Sequence, residues 1–281
     1  MDGFILVDKE KNITSFSVCN KLKWKLNLNK TGHNGTLDPN ATGLMVVATN
    51  KATKLMKYIN EHNKEYITVI KFGKTSETLD YDSTVLDGKL NKFNKEELLN
   101  AINNLKNEEY QLPPMTSAIK INGKKLYEYQ RENKEIEIPK RKIKINDIEL
   151  INFDDINFEA TIRLNVSKGF YVRSFARDLG LLLDSDCIVK ELRRTKIENL
   201  DVSNAKRIDD INELDIISIE KFFNFPRVEV NDYIAKLVKN GVQLDSRQTN
   251  INGIFFVINN CDIIAIYEET DKNIYKPVII F

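Results

Sequence analysis

The residues whose types and spacing could do chemistry crowd into one stretch, GHNGTLDPNATGLM at positions 32–45. It holds three glycines, His33 (one of only two histidines in the chain, the other being His62) and a lone acid, Asp38. Asp38 precedes Pro39, which disfavours the α region for the aspartate backbone, and Gly35 and Gly43 permit tight bends nearby. Such a loop fixes the direction of a carboxylate. A carboxylate held that way can serve as a nucleophile or as the counter-charge to a developing cation. Leu-Asp-Pro alone is an ordinary turn opener. A plain turn, however, does not need His33, two glycines and Ala-Thr-Gly together.

Three further stretches carry side chains of the right kind. SKGFYVRSFARDLG (167–180) couples a glycine turn to a helix beginning with Tyr171, Arg173 and Arg177. A tyrosine ring offers a stacking surface, and an arginine fork matches a carboxylate or phosphate; the plainer reading is a surface helix with ordinary arginines. KEYITVIKFG places Tyr66 on a strand, where a core tyrosine with a satisfied hydroxyl is the better reading of the fragment in isolation. ELRRT (191–195) offers Leu192 and two basic residues and says little alone.

The elements that must position these residues follow from pattern. GFILVDK (3–9) reads as a buried strand, and Thr14 or Ser15 caps an amphipathic helix through about Leu26. LMVVAT (44–49) and EYITVIKFG (65–73) read as strands, with a short helix over 51–59 between them. Asn94 and Glu97 form a capping box that opens a helix to about Leu105. Two prolines keep 112–114 extended, and Asn122-Gly123 predicts a hairpin turn. Residues 141–167 are strand-rich, with Phe158, Ala160, Ile162, Leu164 and Val166 on one face. YVRSFARDLGLLL (171–183) reads as a helix. Residues 208–224 turn acidic, with five acids against one lysine, and the last 56 residues hold short β-rich runs, as in a small β-domain or barrel. The boundary therefore divides a domain over 1–222 from one over 226–281.

Composition narrows the class. The 281 residues are 42% hydrophobic and 30% charged, as in a soluble globular protein. There is no apolar run of about eighteen residues, so no membrane span is expected. The first residues lack a basic leader and a long apolar run, and Cys19, Cys187 and Cys261 are too scattered for a disulfide framework; a reducing cytoplasm is the expected compartment. Two histidines and no paired cysteines give a zinc site no support. Net charge is +1 but uneven. Residues 1–60 carry nine lysines against four acids, residues 112–145 nine basic residues against four, and residues 161–207 ten against six. Three basic segments can gather around one cleft for a polyanion, or be no more than solvated helix faces.

The stretches are most informative as an ordered set. GHNGTLDPNATGL, KEYITVIKFG, PPMTSAIKINGKKLYEYQR, SKGFYVRSFARDLG and LRRT resemble, in that order, the motifs of the TruB family, the bacterial tRNA pseudouridine-55 synthases, over about residues 3–200. The resemblance implies an α+β pseudouridine synthase fold with a mixed, largely antiparallel sheet, a thumb-like insertion over about 110–145 and a small C-terminal β-domain of PUA type. It implies a monomeric enzyme that isomerises a uridine in the T-arm stem-loop of tRNA without metal or organic cofactor. The family's catalytic aspartate falls on Asp38, its stacking tyrosine on Tyr66, its second pocket tyrosine on Tyr171, and its carboxylate-pairing arginine on Arg173. Leu192 falls on a pocket-lining position and His33 on the residue that enters the RNA T-loop. Lys9, Lys54, Lys120, Lys124, Lys125, Arg141 and Lys142 are the expected contacts to the RNA backbone. The chain departs from the family at Asn34, where threonine is usual, at Glu10 and Asn12, where proline and glycine are usual, and in TSETLDYD, where the family's acidic pair is partly altered. Two rival readings are a non-catalytic tRNA-binding or folding module, in which Asp38 only stabilises its loop, and a carboxylate-dependent hydrolase of a small substrate, against which the basic segments argue.

Overall fold

The computed structural model describes residues 1–33, 35–60, 63–117, 119–132, 134 and 136–281; Asn34 and His62 therefore lie outside the described residues. A central sheet runs in the order Ile145–Asp154, Glu159–Val166, Lys64–Phe72, Cys187–Ile197, Thr42–Thr49, Gly3–Lys9 and Ile217–Ser218. All neighbours on this path pair antiparallel except Cys187–Ile197 with Thr42–Thr49, which run parallel, with Arg193 opposite Thr42 and Arg194 opposite Gly43. The sheet is mixed and largely antiparallel, as expected.

Side chains alternate across a strand, and that alternation assigns the two faces. Ile5, Val7, Met45 and Val47 pack beneath the helix Ser15–Lys25. Thr14 caps this helix, its side chain accepting from the Ser17 N–H at 3.0 Å. Gly43 shares the parity of Met45 and Val47, Arg194 lies opposite Gly43, and Tyr66 lies opposite Arg194. The same face thus continues through Arg194 and Tyr66 to Ile162 and Leu164, where the helices Lys95–Lys106 and Val172–Leu182 cover it. The predicted capping box is present at Asn94 and Glu97.

On the opposite face, Phe4, Leu6, Leu44 and Val46 share an apolar cluster with Phe256, Ile258, Ile266 and Ile279. The C-terminal five-stranded sheet is therefore packed onto the central one through a common core. The β-rich reading of this region overlooked the helix Asp232–Lys239, whose N-cap is Asn231 and whose buried residues are Ala235 and Val238. An Asn cap followed by apolar residues at helical spacing was the signal available. The reading of 51–59 as one helix divides into a 3-10 turn, Asn50–Leu55, and a short α-helix, Lys57–Asn60.

The insertion over 110–145 branches from a two-residue pairing of Tyr110–Gln111 with Arg141–Lys142. The predicted hairpin turn joins Lys120–Ile121 to Lys124–Lys125, with Asn122 at φ 51° and Gly123 at φ 81°. The helix Leu126–Arg131 follows. No helix among the described residues is long and apolar enough to cross a membrane, and the three cysteines are free.

Candidate active site

The loop that presents Asp38 is fixed from behind by charged and hydroxyl side chains bonded to its backbone. Lys9 is fully buried and donates to the carbonyls of Ala41 (2.6 Å), Glu10 (3.0 Å) and Pro39 (3.1 Å). Pro39 also accepts from the Asn12 N–H at 2.8 Å. Ser15 Oγ accepts from the Leu37 N–H at 2.9 Å and donates to the Leu37 carbonyl at 3.0 Å. Arg194, also buried, gives Nε to the Leu44 carbonyl at 2.7 Å and both terminal nitrogens to the Gly35 carbonyl at 3.1 Å. At Gly43, φ is +102° and a Cβ would stand 2.2 Å from the Arg194 carbonyl oxygen. Only glycine lets the two parallel strands approach this closely.

Held in this way, Asp38 has a side chain 36% exposed, with Oδ2 3.1 Å from Arg173 Nε. Arg173 is nearly buried. It donates to Thr116 Oγ1 (2.7 Å), to the Thr78 carbonyl (3.0 Å) and to the Thr116 carbonyl (3.2 Å), and its Nε lies 3.6 Å from Asp80 Oδ2. The guanidinium is thus anchored by the insertion and by the 76–82 loop while it faces Asp38. Burial pushes the Asp38 pKa above the ordinary carboxylate value; Arg173 opposes this, Asp80 adds to it, and Lys9 opposes it. Arg173 orients Asp38, but the net environment makes its charge harder to hold than the pairing alone implies. Asp82, close by, is raised first by burial and then by Asp80.

Asp38, Tyr66, Tyr171, Arg173 and Leu192 line a single cavity of about 770 Å³, together with Arg141 and Lys142 of the insertion. Tyr171 sits at the N-cap of Val172–Leu182 and is locked by a reciprocal pair with Gln111, whose Oε1 accepts from the Tyr171 N–H (2.8 Å) and whose Nε2 donates to its carbonyl (3.1 Å). Burial raises the Tyr171 phenol. Arg194, Lys64, Lys168, Thr116 and Ser117 also line the cavity and are not among the site residues expected from sequence. Arg194 was legible in principle: it lies two residues beyond Leu192 on one strand, hence on the same face. Arg193 points the other way, to Asp8 at 2.8 Å.

Several expected RNA contacts fall elsewhere. Lys9 is a correction, because an enclosed ammonium with three carbonyl partners cannot meet a phosphate. Its pKa falls to about 8 through burial. Lys54 is exposed but donates to the Val278 carbonyl at 3.1 Å, at the seam with the C-terminal sheet. His33 is half-buried on Thr31–His33 and does not line the cavity; burial and then Arg194 lower its pKa, and its Nδ1 has no hydrogen-bond partner among the described residues. Lys120, Lys124 and Lys125 lie on the hairpin of the insertion, away from the cavity wall. Lys124 pairs with Glu132 and lies 4.9 Å over the Tyr129 ring. Among the described residues no three His, Cys, Asp or Glu side chains converge as a metal site.

Comparison with known proteins gives this geometry a context. Residues 23–172 match the model described as TruB family pseudouridylate synthase (N terminal domain). The chain is 38% identical over 287 aligned positions to the tRNA pseudouridine synthase B of Onion yellows phytoplasma, covering all of both chains. It is 38% identical over 277 positions to that of Clostridium tetani, covering 96% of this chain and 93% of the relative. Among solved structures, a Cbf5-Nop10-Gar1 complex superposes with a TM-score of 0.68 at 22% identity, over 96% of this chain and 79% of the other. An H/ACA RNP bound to a substrate RNA containing 2'-deoxyuridine gives 0.67 at 21%, over 99% and 84%. At these identities the structural likeness speaks to the fold alone.

Proposed function

The chain belongs to the TruB family of pseudouridylate synthases, and from that premise we propose that it isomerises the uridine at position 55, in the T-arm of tRNA, to pseudouridine, with Asp38 as the catalytic carboxylate. The observation that carries this reading is the Asp38–Arg173 pair at 3.1 Å, set in a cavity with two tyrosines and a basic rim.

The reaction breaks the bond from uracil N1 to ribose C1′, turns the ring and bonds C5 to C1′. The C5 proton is lost and N1 gains one, so the product is an isomer and no electrons are exchanged. Attack at C1′, addition at C6 and proton removal at C2′ all require an ionised carboxylate beside the nucleotide. Asp38 supplies it, and Arg173 fixes its direction. The target base must leave its stack, and Tyr66 offers it an aromatic platform. A cavity of about 770 Å³ is in the range that encloses a small organic group. Arg141, Lys142, Lys64 and Lys168 would meet the phosphates on either side. The division into a catalytic part (1–222) and an RNA-binding C-terminal part (226–281), a monomeric state and a cytoplasmic location belong to the same proposal.

The test is Asp38→Asn. Pseudouridine formation in a T-arm RNA should fall to background while RNA affinity stays nearly unchanged, since phosphate contacts supply most of it. The folded pKa of Asp38 lies above the unfolded one, so its ionised form weakens the fold at neutral pH, and that loss disappears below the unfolded pKa. The asparagine variant should therefore melt no lower than the wild type at pH 7. Near-normal turnover would favour the binding-module reading instead.

A further inference from the structure

The helix Ser15–Lys25 buries Ser15, Val18, Cys19 and Leu22 against the sheet. Its outward face leaves Phe16 69% and Trp24 80% exposed. Residues four apart on a helix are neighbours, so Phe16, Asn20 and Trp24 form one stripe, with Lys23 on one side and Lys21 on the other. Lys23 Nζ stands 5.9 Å from the Trp24 ring centroid. From residue 11 to residue 37 the chain has five lysines and no acidic residue. Lys25, though exposed, is engaged within the fold, donating to the carbonyls of Ile208 (2.8 Å) and Asp209 (2.5 Å), which ties the helix down.

Two large aromatic rings on one stripe of a solvent-facing helix form an exposed apolar patch, a feature that marks contact surfaces when it is contiguous. The surroundings indicate its chemistry. Lysine is depleted from protein–protein interfaces, whereas aromatic rings interleaved with cations are the working surface of single-stranded nucleic acid binders. The apolar side of the helix is already buried in the core, which leaves too little apolar area for insertion into a lipid surface. The helix also lies on the same sheet face as the cavity, and its first residue, Ser15, holds Leu37 of the Asp38 loop.

We propose that the Phe16–Trp24 face is a second RNA-contact surface, outside the cavity, on which unpaired bases of the substrate RNA stack while Lys21 and Lys23 meet the adjoining phosphates. This rests on the functional reading above. It assigns part of the RNA affinity to a helix that carries none of the expected contacts.

Trp24 is the only tryptophan in the chain, so its emission reports on this face alone. The full chain is titrated with a tRNA transcript, following Trp24 fluorescence and, in parallel samples, pseudouridine formation. The expected result is quenching of Trp24 with the same midpoint as RNA binding. In the Phe16→Ala/Trp24→Ala variant, KM should rise about tenfold or more, while turnover at saturating RNA falls less than twofold and the melting temperature is unchanged. Trp24→Phe should recover most of the affinity. RNA that binds and is isomerised without altering Trp24 emission, and with unchanged KM in the double variant, overturns the inference but leaves the functional reading standing. Absence of pseudouridine in the wild-type samples defeats that reading instead. Vesicles of phosphatidylglycerol and phosphatidylcholine should leave the emission unchanged; a blue shift with vesicles and no response to RNA would overturn the proposal in favour of a lipid surface.

Discussion

The loop around Asp38 and the insertion over 110–145 both bring charge to one cavity, but they are held in opposite ways. In the loop, the cations are buried and spend their donors on backbone carbonyls: Lys9 on Glu10, Pro39 and Ala41, Arg194 on Gly35 and Leu44. In the insertion, the pairings are two residues long and the basic side chains are largely at the surface. Its ties to the body are side-chain bonds at specific points, among them Gln111 to Tyr171, Arg173 to Thr116, Ser174 to Leu112, and Gln130 to Glu77 at 2.9 Å. The contrast separates two uses of a cation. Buried against carbonyls, it sets the position of a backbone. Exposed, it adds little to stability and its charge stays available for a polyanion.

Gly43→Ala should break the loop most severely. A Cβ there meets the Arg194 carbonyl oxygen at 2.2 Å, at a φ that L side chains rarely adopt. Overpacking and backbone strain together should cost about 3 kcal/mol or more, read as a lowered urea midpoint, with turnover lost because the Asp38 loop moves. An alanine variant of wild-type stability would mean that the parallel strand contact is looser than described.

Tyr66 tests the cavity between the two regions. Tyr66→Leu should lose roughly 1–3 kcal/mol of stacking. Tyr66→Phe should be nearly normal if the ring alone acts, and should lose about 10²–10⁴-fold in turnover if the hydroxyl transfers a proton. Single-turnover assays beside thermal melts separate these outcomes from a purely structural tyrosine, for which both variants would lower the melting temperature first.

Lys9→Met should lower stability by about 1–3 kcal/mol, because carbonyls left without a donor are costly. The effect has a pH signature. Lys9 titrates at about 8 in the fold against 10.5 for its unperturbed value. Between those values the unfolded chain binds more protons, so the wild type gains stability as pH rises through that window. The gap between wild type and variant should therefore widen by up to about 3 kcal/mol from pH 7.5 to pH 10.5. A gap that narrows would show that the carbonyl bonds, and not burial, dominate this ammonium.

The insertion should give the smallest effect on stability and a clear one on salt dependence. Neutralising Lys120, Arg141 and Lys142 together should reduce the slope of log affinity against log salt by roughly 2–3 units, with melting unchanged. Lys124, already paired with Glu132 and set over Tyr129, should contribute less than any of these. An unchanged slope would make the basic side chains of the insertion merely solvated.

What the sequence determined by itself was local. Thr14 and Asn94 announced their helices because a cap is a bond between residues two or three apart. Asn122-Gly123 announced its hairpin because the turn demands positive φ, and strand faces followed from alternation. Asp38, Tyr66, Tyr171, Arg173 and Leu192 could be proposed together only through the resemblance of their ordered motifs to a family, and the fold gathers them around one cavity. The tertiary structure alone decided what those residues touch. That Lys9 faces Pro39 and Ala41 and not RNA depends on which strand lies beside it, and the chain around Lys9 carries no trace of that partner. That Arg194 closes on Gly35 depends on a parallel strand pairing across about 150 residues. The raised pKa of Asp38 depends on burial and on Asp80, which only folding brings near. Propensity is written in neighbours, whereas desolvation and charge coupling are written in distances through space.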